Sequence, residues 1–226
     1  MKLQYKDNKR AIESLYFRLG FEYEFEKDNY YLENAFNKIN TLWKNNFDKI
    51  DKVKYLLIAE APLWGSKESY IYNVKTRNSQ FFYRSDLETI LNTQIKDKKE
   101  FIEICNEIGL LVLDISPFAL NTKDTKINYS NNKNESQKLT KKQYKELVQI
   151  TLPTYFCKKI KIIKKKQSSK IKVFFRYTRV KNTFQDLIKD LLINNMFINH
   201  QGDIGEISQS GGGVDRKKLR HLINEI

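Results

Sequence analysis

Val53-Lys54-Tyr55-Leu56-Leu57-Ile58-Ala59, broken by Glu60-Ala61-Pro62, is the run from which the architecture unfolds. Its near-continuous apolar character suits a strand buried on both faces of a parallel sheet, because alternation is expected only where one face meets water. Pro62 has no amide hydrogen for a ladder and closes the strand. The same grammar returns downstream in Gly109 to Ile115 (GLLVLDI), closed by Ser116-Pro117, in Ile171 to Tyr177 (IKVFFRY), and in a shorter Asn195 to Asn199 (NMFIN) that runs into His200. Helical segments fill the intervals at Ser85 to Ile108, Lys141 to Lys161 and Val180 to Ile193. Strands alternating with helix-length crossovers predict an α/β fold, a three-layer sandwich around a central, four-stranded, mostly parallel sheet.

Upstream of the first strand, Ile12, Leu15, Tyr16, Leu19 and then Leu32, Ala35, Phe36, Ile39, Leu42 and Trp43 recur at helical spacing. They predict two or three amphipathic helices forming an N-terminal layer over residues 1–50. The sheet core is expected over 53–203 and a glycine-rich loop with a C-terminal helix over 208–226. At 226 residues the chain is long enough for one substantial core, and a single domain is the default. Asn121 to Gln137 is polar and reads as a long loop. Cys105 and Cys157 are far apart and each lies in an apolar stretch, so both read as core. No signal region opens the chain and no apolar run is long enough to span a bilayer, so a cytoplasmic, membrane-free protein is expected.

Lysine and arginine number 41 against 27 acids, a net charge of +14. Such a surplus steers polyanions toward the surface, which makes nucleic acid the expected partner. Only eight of the cations are arginine, and the chain is also rich in Asn and Ile, so an AT-biased coding sequence is the competing explanation. Seven lysines without an acid crowd Lys158 to Lys170, which reads equally as a frayed helix end or a phosphate-facing patch.

Ligands of open parallel sheets bind at the carboxyl ends of the strands. Here those ends are polar: Glu60-Ala61-Pro62, Asp114-Ile115-Ser116-Pro117, Tyr177-Thr178-Arg179 and His200-Gln201-Gly202-Asp203. Each alone has a plain explanation as a helix cap or loop hydrogen bond. Between the first two, Tyr70 to Arg84 interleaves Tyr70, Tyr72, Phe81, Phe82 and Tyr83 with Lys75, Arg77 and Arg84, a composition suited to stacking a base beside its phosphates. Ser210-Gly211-Gly212-Gly213 leads into the last helix and would let backbone amides approach a phosphate at the helix start, or serve as a flexible linker.

The order of four buried strands, with Ala59-Glu60-Ala61-Pro62 after the first and a histidine ending the fourth, resembles the uracil-DNA glycosylase superfamily, especially branches whose first motif reads Gly-Glu-Ala-Pro-Gly. The resemblance implies DNA repair by base flipping. It gives Glu60 the role of orienting or activating the water that attacks the sugar, and His200 that of stabilising the departing base. Ala61 and Pro62 complete the first motif, Phe82 is the aromatic platform, and Asp114 occupies the base-reading position that the family gives to Asn. The pattern departs from the family at Ala59, Leu63, Asp114 and Gln201. An ionised Asp accepts only, so Asp114 does not match the edge that an amide reads. The iron-sulfur cluster of some branches needs four cysteines, and two are present; no cofactor and no metal are expected.

The chemistry is coherent without the name. N-glycosidic cleavage develops positive charge on the sugar and negative charge on the base, which a carboxylate and a donor on opposite sides would stabilise. Arg84, Arg179 and Ser210 to Gly213 are the residues expected at the nucleic-acid backbone. The alternatives are a non-catalytic nucleic-acid-binding module of the same fold, recognising its partner through the lysine-rich surface and the aromatic segment, and a metal-dependent nuclease using Glu60, Asp114 and Asp203.

Overall fold

The structure is a computed structural model that describes residues 3–76, 84–130, 136–198, 204–209 and 213–224. It forms two compact units, each gathered from separate stretches of chain. The first, helical unit comprises Met1–Lys44, Ala61–Asn73 and Asp114–Lys159; the second, sheet unit comprises Asn45–Glu60, Val74–Leu113 and Ile160–Ile226.

In the helical unit, α1 (Lys6–Arg18) and the first part of α2 (Glu22–Lys49) realise the N-terminal periodicity. Gly20, in the left-handed region at φ 74°, turns the chain between them, and Phe21 N–H returns to the Tyr16 carbonyl at 3.0 Å. Ile12, Leu15, Tyr16, Leu32 and Phe36 from these helices pack with Phe118, Ile127, Leu147 and Tyr155. A two-stranded ladder, β3 (Ile127–Asn128) with β4 (Gln137–Lys138), sits within the stretch expected to be loop. The helix expected over Lys141 to Lys161 is interrupted: α5 (Lys141–Thr151) passes through a π-helical turn, Leu152–Phe156, into α6 (Cys157–Ile163). Pro153 has no amide hydrogen, which favours such a break. The Thr151 hydroxyl donates to the Leu147 and Val148 carbonyls at 3.0 and 3.1 Å, and the Thr154 hydroxyl to Thr151 at 3.2 Å.

The sheet unit carries an all-parallel, four-stranded sheet in the order β2-β1-β5-β6. β1 (Val53–Ala59) and β2 (Leu110–Asp114) are the two apolar runs, and every residue of β2 is buried. Gly109, at φ 78°, turns α4 (Lys98–Ile108) into β2. A side chain there would drive a Cβ to 2.4 Å from the Lys52 carbonyl, so the close approach to β1 requires glycine. Asn92, at φ 49°, separates α3 (Arg84–Leu91) from α4, splitting the helix expected across Ser85 to Ile108. β5 (Gln167–Phe175) starts four residues before the apolar run does. Its amino end pairs Gln167 with Val53 and, after an irregularity, Lys172 to Phe175 pair with Tyr55 to Ile58.

The fourth strand is not Asn195 to Asn199. That stretch begins by ending α7 (Thr178–Asn194): Asn195 N–H and Phe197 N–H return to the Leu191 and Leu192 carbonyls at 3.0 and 2.8 Å, and Met196 takes φ 51°. Phe197 and Ile198 are buried, and that apolar signal is shared by a helix cap and a strand. The fourth strand is β6 (Gly205–Glu206), two residues paired with Phe174 and Phe175. The histidine expected to end the fourth strand therefore precedes it in sequence, and α8 (Arg216–Asn224) follows. No described helix is long and apolar enough to cross a membrane.

Candidate functional site

From β1 the chain moves to β2 on one side of the sheet and then to β5 on the other. The direction of winding reverses between β1 and β5, and ligands of open parallel sheets bind outside the carboxyl ends of strands at such a switch point. Glu60 follows β1 there, and Arg179 lies just inside α7, which begins after β5. The Arg179 Nη2 group donates to Glu60 Oε2. Glu60 has 14% of its side chain exposed and Arg179 has 65%, so the pair joins a sheltered carboxylate to a wet guanidinium. Burial pushes the Glu60 pKa upward, and the charge and hydrogen bond of Arg179 pull against that rise without cancelling it.

Two neighbours complete the strand end: Tyr177, which the sequence marks as part of it, and Arg176, which it does not. Arg176 is buried, and its backbone N–H extends the ladder to the Ile58 carbonyl at 2.8 Å while Nη1 donates to the Gly213 carbonyl at 3.2 Å. Its guanidinium lies 4.4 Å from the Tyr177 ring centre, and that of Arg179 lies 5.5 Å from the same ring. One aromatic ring thus serves two cations. The two arginines flanking a tyrosine in Arg176-Tyr177-Thr178-Arg179 were the available signal.

After β6, Glu206 and Ser208 form a second polar group. Glu206 Oε2 accepts from Ser208 N–H at 2.6 Å and from its hydroxyl at 2.7 Å, and Lys218 donates to Oε1. Ser208 Oγ also lies 2.6 Å from the Thr178 hydroxyl and accepts the Thr178 N–H at 2.9 Å. These donors lower the Glu206 pKa despite its burial. Ser208, not a histidine, is the polar side chain just past the fourth strand. Gly213 offers its carbonyl to Gln209 N–H at 3.1 Å and to Arg176, so it acts as an acceptor. At the α8 start, Asp215 Oδ1 caps Lys217 and Lys218 N–H at 3.0 and 3.1 Å.

Asp114 ends β2, but its carboxylate lies in the interior of the helical unit. It is 3% exposed and accepts from the Tyr70 hydroxyl at 3.4 Å. Lys159, fully buried, donates to the Tyr155 hydroxyl at 2.9 Å, with its ammonium 4.4 and 4.5 Å from the Trp43 and Tyr155 ring centres. Burial raises the Asp114 pKa and lowers that of Lys159, and the attraction between the two charges opposes both shifts. Tyr70 is buried against Tyr72, edge to face at 5.6 Å, so both tyrosines serve as core.

Of the remaining expected residues, Ala61 is half-buried and Pro62 buried. Arg84 pairs with Glu88 at 3.2 Å, and that carboxylate also accepts Ile95 N–H at 2.9 Å from the chain beyond α3. His200, Phe82, Asp203, Ser210, Gly211 and Gly212 lie outside the described residues. The lysine-rich stretch is partly structural: Lys158 pairs with Asp7 at 2.6 Å, Lys159 is interior, and Lys166 donates to the Asp48 and Ile50 carbonyls at 2.8 and 2.5 Å at the end of α2. Lys161, Lys165 and Lys170 are exposed. Among the described residues no three or more His, Cys, Asp and Glu side chains gather as a metal site. A void of about 10 Å³ lined by Leu57, Leu87, Leu110, Phe174, Ile207 and Leu219 is wholly apolar and about the size of one water. No protein-family model, curated protein or solved structure matches this chain.

Proposed function

We propose that this chain is a glycosylase-like hydrolase acting on a base flipped out of nucleic acid, DNA in preference to RNA, with Glu60 taking a proton from the attacking water. The observation that carries this reading is a carboxyl group 14% exposed at the end of β1, beside the switch point of the sheet, its pKa raised by burial. A raised carboxyl pKa at such a switch point is the usual mark of a group set up for proton transfer near neutral pH. As the water oxygen bonds to the anomeric carbon, Glu60 accepts the water's proton. The carbon–nitrogen bond breaks, its electron pair leaves with the base, and the base takes a proton from solvent or from His200. The net charge of +14 supports a polyanionic substrate.

Oligonucleotides carrying uracil, hypoxanthine or other altered bases, incubated in chelator, test the reading directly through the abasic sites formed. Glu60→Gln is expected to slow base release by about 10²- to 10⁴-fold with affinity nearly unchanged. A rate equal to wild type would overturn the assignment.

A second reading, a non-catalytic nucleic-acid-binding module, is favoured by the Arg179 contact that occupies Glu60 and by Ser208 following the fourth strand. It expects steeply salt-dependent binding without any abasic product.

A further inference from the structure

We infer that Arg179 is a phosphate-operated latch on Glu60: the guanidinium holds the carboxylate while the site is empty and moves onto a nucleic-acid phosphate when a strand binds, freeing Glu60 to accept a proton. This rests on the reading of Glu60 as the working carboxylate of a nucleic-acid site and adds the means by which substrate switches it on.

The asymmetry of the pair carries the inference. Glu60 is fixed to the end of β1 and is 14% exposed, whereas Arg179 is 65% exposed, so only the arginine has solvent to move into. An ion pair with one member in water is weakly held, and a guanidinium binds phosphate through two parallel hydrogen bonds as readily as it binds carboxylate. The other cation at this strand end cannot take that part. Arg176 is 3% exposed and is tied to the Gly213 carbonyl. The Tyr177 ring, 5.5 Å from the Arg179 guanidinium, gives it a surface to slide along while its charge stays favourably placed. Arg179 is also the charge that acts on Glu60. Its departure leaves a sheltered carboxylate with no other cation among the described residues acting on it, which is a stronger base. The empty site is thereby kept from proton chemistry until a backbone phosphate arrives.

The test follows the Glu60 carboxyl by carbon NMR in protein labelled at glutamate, the signal being assigned by its loss in Glu60→Gln. Titrations with pH are run with and without a saturating short oligothymidylate. In wild type the Glu60 midpoint is expected to rise when the strand binds. In Arg179→Ala it is expected to start high and to respond little, and Arg179→Lys, which keeps the charge but not the paired hydrogen bonds, is expected to fall between them. The latch is overturned by an unmoved wild-type midpoint, and equally by a rise of the same size in Arg179→Ala, which would come from the charge of the strand itself. Base release is not read, so a protein that binds without cleaving removes the hydrolase reading and leaves this result standing.

Discussion

Two carboxylate–cation couples of this molecule differ in everything around them: Glu60 and Arg179 are in direct contact, whereas Asp114 and Lys159 are coupled through the attraction of their charges. In the helical unit, Asp114 and Lys159 are 3% and 0% exposed, and Tyr70, Tyr155 and Trp43 surround their polar ends. In the sheet unit, Glu60 is sheltered but Arg179 stands mostly in water. Where both charges are interior, neither can leave without stranding the other in a low-dielectric surrounding. Where one is wet, the contact is exchangeable and adds little to stability. Burial of the cation, more than the presence of an ion pair, separates a structural pair from one able to work.

The largest expected effect breaks the interior pair. Asp114→Asn leaves Lys159 without its opposing charge and is expected to cost about 3–5 kcal/mol, read as a fall in the urea midpoint. Combining it with Lys159→Met is expected to recover most of that loss, since the cost lies in the stranded charge; two losses that merely add would make the pair independent and break the comparison. Lys98 sharpens the role of burial, being 2% exposed and hydrogen-bonded to Thr76, with its pKa pushed down to about 8 by desolvation. From there to 10.5, its ordinary value, the unfolded chain binds more protons than the folded one, so stability rises with pH across that window. The gain in urea midpoint between pH 8 and 10 is expected to be smaller in Lys98→Met. The difference between the two proteins is the quantity to read, because buried Tyr16, Tyr70 and Tyr155 titrate late and pull the other way at higher pH. The smallest effect is expected at Arg179→Ala, within about 1 kcal/mol of wild type by the same urea measurement. A loss as large as that of Asp114→Asn would show the exposed pair to be structural after all.

The parts of this architecture that the sequence revealed are those held by local signals. β1 and β2 announce themselves because both of their faces are covered, so apolar residues run without alternation. Glu60 is legible for the same reason, as the first polar residue past a buried strand and before a proline. β6 is not legible: its two residues, Gly and Glu, are strand only by virtue of Phe174 and Phe175 beside them. The partnership of Glu60 with Arg179 spans 119 residues, a distance that no local pattern encodes. Lys159 was concealed by its company, since composition does not tell which lysine of a run points inward. Spacing held the clue: Tyr155, Phe156, Ile160 and Ile163 are buried at helical intervals, and Lys159 lies among them four residues after Tyr155.

The shortness of the fourth strand carries a hazard and its remedy. β6 pairs only with Phe174 and Phe175, so the outer backbone of β5 from Gln167 to Val173 has no neighbouring strand among those described. A rim of amides and carbonyls left unpaired invites another copy to zip onto it. Lys170, exposed, and Lys172, its amine held at 3.0 Å by the Leu222 carbonyl, lie along that rim. An arriving strand would have to strip water from Lys170 and face the repulsion of its own identical lysines, a cost that works against self-association along this edge.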